Sequence, residues 1–272
     1  MGKKTVANFR SPRIVGLLVP ENFGADAAVP PELGLCDMLE IRFDLFAGAK
    51  PGELVSRARA AFPGKPLLFT VRLKRDGGAW PDGDAGARFP LFAEALEGGA
   101  DWADVELDEP GLARRLRPVL ARTGAKLLVS SHVWSAPESV EACEALWRSA
   151  LRLEGDGAKL VWKMDDRKAE GILLEFLLRH GNDPRLVACF AMGEGGRLSR
   201  LYGPLMGAPW TYGFCGSGAP APGQRKIAEM RDCFAKIAPL DPEKGPKSLL
   251  QALEEREKAV FPTFASRNTE EE

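Results

Sequence analysis

Leu39-Glu40-Ile41-Arg42-Phe43-Asp44 is the stretch on which the fold reading turns. In an extended chain successive side chains point to opposite faces, so Glu40, Arg42 and Asp44 share one face while Ile41 and Phe43 take the other. A half-exposed edge strand would explain one such pattern, but the pattern recurs. Leu68-Phe69-Thr70-Val71-Arg72 ends an apolar run on a cation, and Asp104-Val105-Glu106-Leu107 alternates acids with aliphatics. Val129-Ser130-Ser131-His132 ends on a histidine, and Lys159, Val161 and Lys163 share one face of a later run. Five exposed edges are a poor account of five such strands. Burying any of these groups unpaired costs several kcal/mol, so they are expected to converge on one another and on a polar ligand.

Working outward, short apolar runs recur along the chain: Ile14–Val19, Met38–Phe43, Leu67–Leu73, Trp102–Leu107, Lys126–His132, Lys159–Met164, Leu186–Met192 and Thr211–Gly216. Segments with helical spacing separate them, among them Gly52–Ala61, Ala85–Leu96, Gly111–Ala121, Pro137–Leu151, Arg167–His180 and Arg197–Leu205. Eight strands alternating with helices predict an α/β chain folded as a (β/α)8 TIM barrel. A doubly wound open sheet is the rival, because alternation alone does not decide closure. Against a dinucleotide fold, the glycine cluster Gly193-Glu194-Gly195-Gly196 lacks G-x-G-x-x-G spacing. The barrel is expected over residues 1–238. Residues 239–272 read as a C-terminal extension with one helix, Lys247–Val260, and a mobile acidic tail; a homodimer contact is one role open to them.

The composition excludes several classes. Of 272 residues, 45% are hydrophobic, which is too many for a disordered chain. The formal net charge of −1 argues against wholesale nucleic-acid binding. No run approaches the length of a membrane-spanning helix, and the basic N-terminus has no apolar segment behind it to make a signal peptide. Five scattered cysteines without a C-x-x-C pair suggest neither a disulfide framework nor a zinc site, and a reducing cytoplasm is the expected location.

Two histidines are present. His180 sits at a predicted helix end, where a cation suits the dipole, and reads as structural. His132 falls at a strand end, where barrel enzymes carry their chemistry, and is a candidate general acid–base. A lysine beside it suggests imine chemistry with a carbonyl substrate, and burial among cations would lower that lysine toward neutrality. One usable histidine leaves little with which to build a metal site, so no metal and no cofactor are expected. Arg200, near the start of a helix expected from Gly196, offers a guanidinium and backbone N–H groups to an anion. Gly218-Ala219-Pro220-Ala221-Pro222-Gly223-Gln224 reads as a stiff loop ending in an amide.

Together with Ser130-Ser131-His132, Met192-Gly193, Arg197-Leu198-Ser199-Arg200, Trp210-Thr211-Tyr212-Gly213 and Ala221-Pro222-Gly223-Gln224, the strand motifs occur in an order that resembles type I 3-dehydroquinate dehydratase. The likeness runs from about Ile14 to Ala235. It implies a metal-free dehydration of the small molecule 3-dehydroquinate to 3-dehydroshikimate, in chorismate and aromatic amino acid biosynthesis, through a lysine Schiff base. A lysine would add to the C3 ketone, with His132 transferring protons, Asp104 orienting His132, and Asp76 acting as a second acid where the family tends to have Glu. Glu40, Arg42 and Arg72 would hold the ring hydroxyls and ketone region, and Arg200 and Gln224 the carboxylate. Lys159 aligns without a gap; Lys163 is the rival, closer to the strand's C-terminal end. Val133, where the family commonly has Asp or Asn, and Pro220, where many members have Ser over the substrate, depart from the pattern. They leave room for two alternatives: a non-catalytic barrel that senses a shikimate-pathway acid, or another lysine-imine lyase or aldolase.

Overall fold

The computed structural model describes residues 11–216 and 223–236. The C-terminal extension and Pro220 lie outside the described residues. The strands are β1 (Arg13–Leu18), β2 (Met38–Arg42), β3 (Leu67–Thr70), β4 (Trp102–Glu106), β5 (Lys126–Val133), β6 (Gly157–Lys163), β7 (Leu186–Met192), β8 (Trp210–Phe214) and β9 (Arg225–Lys226). The helices are α1 (Pro20–Phe23), α2 (Pro51–Ala61), α3 (Phe89–Glu97), α4 (Pro110–Thr123), α5 (Val140–Arg152), α6 (Glu170–His180), α7 (Ser199–Leu205) and α8 (Ile227–Lys236). All the strand pairings are parallel, in the order β7-β6-β5-β4-β3-β2-β1-β8-β9. This is a curled (β/α)8 sheet. Its ladder is open between β7 and β8, where Phe190 meets Tyr212 with ring centroids 5.8 Å apart.

Alternation sorts the strand residues into two apolar layers. Leu39, Ile41, Phe69, Ala103, Leu127 and Leu160 face outward into the layer beneath the helices. Met38, Leu68, Leu128, Val161, Phe190 and Tyr212 fill the barrel interior. Trp102 and Trp210 meet edge to face at 5.0 Å near the N-terminal ends of β4 and β8 and floor the barrel. The inward polar residues therefore stand over a packed apolar layer, at the C-terminal ends of the strands.

Local chemistry sets the helix boundaries. Proline occupies the first helical position of α2 and α4, where its missing N–H costs nothing. Ser139 caps α5 by accepting from the Ala142 N–H at 3.1 Å. Three expectations are corrected. The helix expected from Ala85 starts at Phe89: the preceding residues wind as a 3-10 segment, Asp82–Arg88, and Pro90 has no N–H with which to extend α-helical bonding back to Gly86. That segment turns Arg88 into the protein, where it is fully buried. The helix expected near Gly196 starts at Ser199. A ninth strand of two residues, absent from the sequence reading, pairs Arg225 and Lys226 with the end of β8.

The glycine cluster after β7 is explained by close packing. A Cβ on Gly195 would fall 2.0 Å from the Asp166 carbonyl oxygen, and one on Gly193 2.3 Å from that of Met164. These glycines let the β6 and β7 loops touch. As a test of the interior layer, Leu128→Ala should cost about 2–5 kcal/mol of unfolding free energy in a urea titration, since Leu128 has no exposed surface.

Candidate active site

The strand ends enclose a cavity of about 220 Å³. Glu40, Arg42, Arg72, Asp76, His132, Lys159, Lys163, Arg200 and Gln224 all line it, so nine of the candidate residues share one space. Asp104 stands just behind them on β4, fully buried.

Arg72 organises the floor of the site. Its guanidinium donates to Asp104 Oδ2 at 2.6 Å, to Glu106 Oε1 at 2.9 Å and to Ser130 Oγ at 2.8 Å. Glu106 is held on its other oxygen by Arg88 at 2.6 Å. Asp104 in turn accepts from Ser130 and from Lys159 Nζ, the latter at 3.2 Å. Glu40 Oε2 lies 4.0 Å from Lys159 Nζ, and the Tyr212 ring lies under that nitrogen at 4.5 Å. Lys159 is thus fixed from three sides, with only 7% of its side chain exposed. By contrast, 40% of the Lys163 side chain is exposed, and it pairs with Asp165 at 3.2 Å. The expectation of a lysine set among cations is corrected: the closest charges to Lys159 are carboxylates. Arg42 is gripped at Nε and Nη2 by Asp44, at 2.9 and 2.8 Å, and lines the cavity.

The electrostatics follow from burial beside these cations. Burial, then Arg72 and Lys159, hold His132 well below its usual titration range, with Asp104 opposing them, so the ring is neutral at neutral pH. Burial alone would raise Asp104, but Arg72, Lys159 and the Ser130 hydroxyl together outweigh it and pull the carboxyl far below the usual range. Asp76 goes the other way, pushed up to about 6 by burial and by Glu106 and Asp108, against the pull of Arg72. Two carboxyl groups in one site are thereby set apart, one always ionised and one titrating close to neutrality.

A second correction concerns the partner of His132. Asp104 spends its oxygens on Arg72, Ser130 and Lys159, and makes no hydrogen bond to the imidazole. The carboxylate facing His132 Nδ1 is Asp76, at 3.9 Å. A third concerns Arg200. The short α7 offers no row of open N–H groups at this point, because the Ser199 and Leu201 N–H groups donate to the Gly196 and Leu198 carbonyls at 3.0 and 2.9 Å. Arg200 instead reaches the cavity through its side chain, stacked 4.6 Å over Phe190, and burial together with Arg225 pulls it down to about 10.

Several lining residues escaped the sequence reading as site residues: Tyr212, Phe190, Met192 and Trp134. Period-two alternation would have found Tyr212, two positions after Trp210, and Trp134, two after His132. Arg88 carried no such signal. Val133 points the other way, packing against the outer apolar layer, so its departure from the family pattern does not alter the cavity. His180 is structural as expected, 3.1 Å from Glu144 and packed on Phe176.

Asp76 Oδ2, His132 Nδ1 and both amide atoms of Gln224 are buried without a hydrogen-bond partner among the described residues. Each such atom costs about 1–3 kcal/mol, so four around one cavity mark the place of a polar ligand. Among the described residues there is no group of three or more His, Cys, Asp or Glu placed to hold a metal, and no helix long and apolar enough to cross a membrane.

Fold and site together define a parallel (β/α)8 barrel whose polar residues converge on one cavity at the C-terminal strand ends, the arrangement of a barrel enzyme. The chain belongs to the type I 3-dehydroquinase family, whose model matches residues 25–241. A 3-dehydroquinate dehydratase of Dehalococcoides mccartyi is 32% identical over 199 residues, covering 73% of this chain and 85% of the relative. The crystal structure of 3-dehydroquinate dehydratase from Geobacillus kaustophilus superposes with a TM-score of 0.68 at 26% identity, over 83% of this chain and 90% of that one. Type I 3-dehydroquinate dehydratase from Clostridium difficile shares the fold at 22% identity, with a TM-score of 0.72 over 84% of this chain and 93% of that one.

The raised Asp76 carboxyl makes stability pH-dependent in a defined window. Between about pH 4 and pH 6 it is protonated in the folded chain and ionised in the unfolded one, so stability falls as pH rises through this range. Asp76→Asn should therefore raise the melting temperature relative to the parent, by an increment that grows from pH 4 to pH 6 and is flat above. Parallel thermal melts across pH 4–8 check this, and a constant increment would contradict it.

Proposed function

We propose that this chain dehydrates 3-dehydroquinate to 3-dehydroshikimate through an imine on Lys159. The observation that carries the reading is the buried Lys159 held at the centre of the cavity, on the strand next to that of a neutral His132. Its amine adds to the C3 ketone of the substrate, and loss of water gives an iminium that withdraws electrons from the C2–H bond. His132 takes the C2 proton and the electrons flow into the iminium as an enamine. The enamine then expels the hydroxyl on the far side of C2 as His132 returns a proton to it, so that water leaves. Hydrolysis of the conjugated iminium releases the enone and restores the amine.

The remaining residues divide by charge. Arg200 and the Gln224 amide suit the substrate carboxylate, while Arg42, Arg72 and Glu40 suit the ring hydroxyls and the ketone region. Asp76 is the second acid, facing Nδ1 while the other ring nitrogen meets substrate. Asp104 acts on Lys159 rather than on His132, holding the amine where the ketone arrives. Family membership and the dehydratase relatives support this reading, and a small anionic substrate agrees with the arginines around the cavity.

Borohydride reduction in the presence of 3-dehydroquinate, followed by peptide mass spectrometry, tests both the reaction and the lysine. The adduct is expected on the peptide containing Lys159, lost in Lys159→Ala and kept in Lys163→Ala. An adduct confined to Lys163 would move the chemistry, and no adduct on either would sink the reading. Lys159→Ala should also lower kcat by at least about a thousandfold, because the amine that forms the imine is lost.

A further inference from the structure

Nothing in the site explains by direct bonding why Asp76 sits opposite His132. No hydrogen bond reaches the Asp76 carboxylate among the described residues, and its closest cationic contact is Arg75 Nε at 3.6 Å. Its position is therefore set by the backbone of the turn that carries it. That turn runs from Leu73 to Gly78, closed by Asp76 N–H to the Leu73 carbonyl at 3.1 Å and Gly78 N–H to the same oxygen at 2.8 Å. Gly77 adopts a φ of +80°, which glycine reaches without strain.

Trp134 clasps this turn on both sides of Asp76. Its indole Nε1 donates to the Arg75 carbonyl at 2.7 Å. Its ring edge lies over Gly77, so closely that a Cβ there would fall 3.2 Å from Cη2. Half of Trp134 is exposed, an unusual cost for so large an apolar side chain that does no packing in the core. Trp134 is also two residues beyond His132, so the clasp ties the Asp76 turn to the strand end that carries the histidine.

We propose that Trp134 is a positioning residue for the His132–Asp76 pair: it holds the turn so that the Asp76 carboxylate stays against His132 Nδ1. The assignment rests on the acid–base roles given to those two residues above. It makes Trp134 act through Asp76 and not through contact with substrate, although its ring also borders the cavity.

The test is a double-mutant cycle between Trp134→Ala and Asp76→Asn, read first without turnover. The imidazole NMR signals of His132, assigned with His180→Gln, report the ionisation of Asp76 next door. The groups facing the pair are Arg75 from the same turn, Arg42 from β2, Arg72 beyond β3, Asp104 and Glu106 from β4, Lys159 from β6 and Asp108 beyond β4; the cycle substitutes none of them. In the parent chain the response is centred near pH 6. In Trp134→Ala the turn loosens, Asp76 gains solvent, and the midpoint should fall by about one pH unit toward the ordinary carboxylate value. Trp134→Phe, which keeps the ring and loses the N–H, should fall between. In Asp76→Asn the response is absent and Trp134→Ala should change nothing further. With 3-dehydroquinate, Trp134→Ala should lower kcat about tenfold in the parent background and less than about twofold in the Asp76→Asn background. An unchanged midpoint, or an equal loss of kcat in both backgrounds, overturns the proposal. Failure of the parent to trap 3-dehydroquinate would sink the dehydration reading alone, because the imidazole response decides the positioning by itself.

Discussion

The Arg72–Asp104 pair is the interaction on which the rest of the site depends. It sits in the barrel interior with almost no exposed surface, continued on one side through Glu106 to Arg88 and on the other to Lys159. Moving such charges out of water costs several kcal/mol per ion, and their mutual attraction repays this only when the hydrogen-bond geometry is good. Here it is good: Asp104 accepts from Arg72, Ser130 and Lys159, and Glu106 is held on both oxygens by arginines. Removing one member would leave another charge buried without its counterpart, which is why the chain behaves as a unit. Well-packed apolar residues in place of buried ion pairs are often no less stabilising. What the charges do here is hold Lys159 at the end of the chain, through Asp104 at 3.2 Å.

That same network sets the protonation of its neighbours. Arg72 and Lys159 add to burial in keeping His132 neutral, so the ring can accept a proton. They also make the cavity receptive to an anion, since the carboxylates of the network are already engaged below while Arg42 and Arg200 border the open space. A single arrangement thus supplies a fixed amine, a neutral imidazole and a cationic rim. Asp76 escapes the pull of Arg72 because burial and two acids on the β4 side outweigh it, and this separates its titration from that of Asp104.

How much of this was legible in the sequence follows from what alternation encodes. Strand identity and inward phase are local, so period two alone puts Glu40, Arg42, Lys159 and Lys163 on the face that lines the cavity. Lys159 and Lys163 share that face, and no periodicity separates them; only the depth of the strand in the barrel leaves one buried and the other half open. The partner of His132 was illegible for a similar reason. Asp104 lies on the adjacent strand at the matching phase, yet Arg72 and Lys159 compete for it across the barrel. Asp76 belongs to a turn whose course is set by Trp134 and Gly77. Arg88 carries no signal of its own because its segment has helical spacing; it winds instead as a 3-10 segment, and Arg88 is held inside by Glu106 and the Val71 carbonyl.

The cavity is, in energetic terms, an unfinished piece of the fold. Below it lie the Trp102–Trp210 floor and the inner apolar layer, and Arg72, Asp104, Glu106 and Arg88 bond to one another. Above, His132 Nδ1, Asp76 Oδ2 and the Gln224 amide are buried without partners among the described residues. Natural proteins keep such groups where a ligand completes them. A bound molecule that bonded with the amide and paired with the arginines would add its binding free energy to folding, in proportion to the logarithm of its concentration over its dissociation constant. The polar upper layer is therefore tolerable because the lower layer carries the stability. The division of the barrel into an apolar half and a charged half at the strand ends is what allows one sheet to be both stable and reactive.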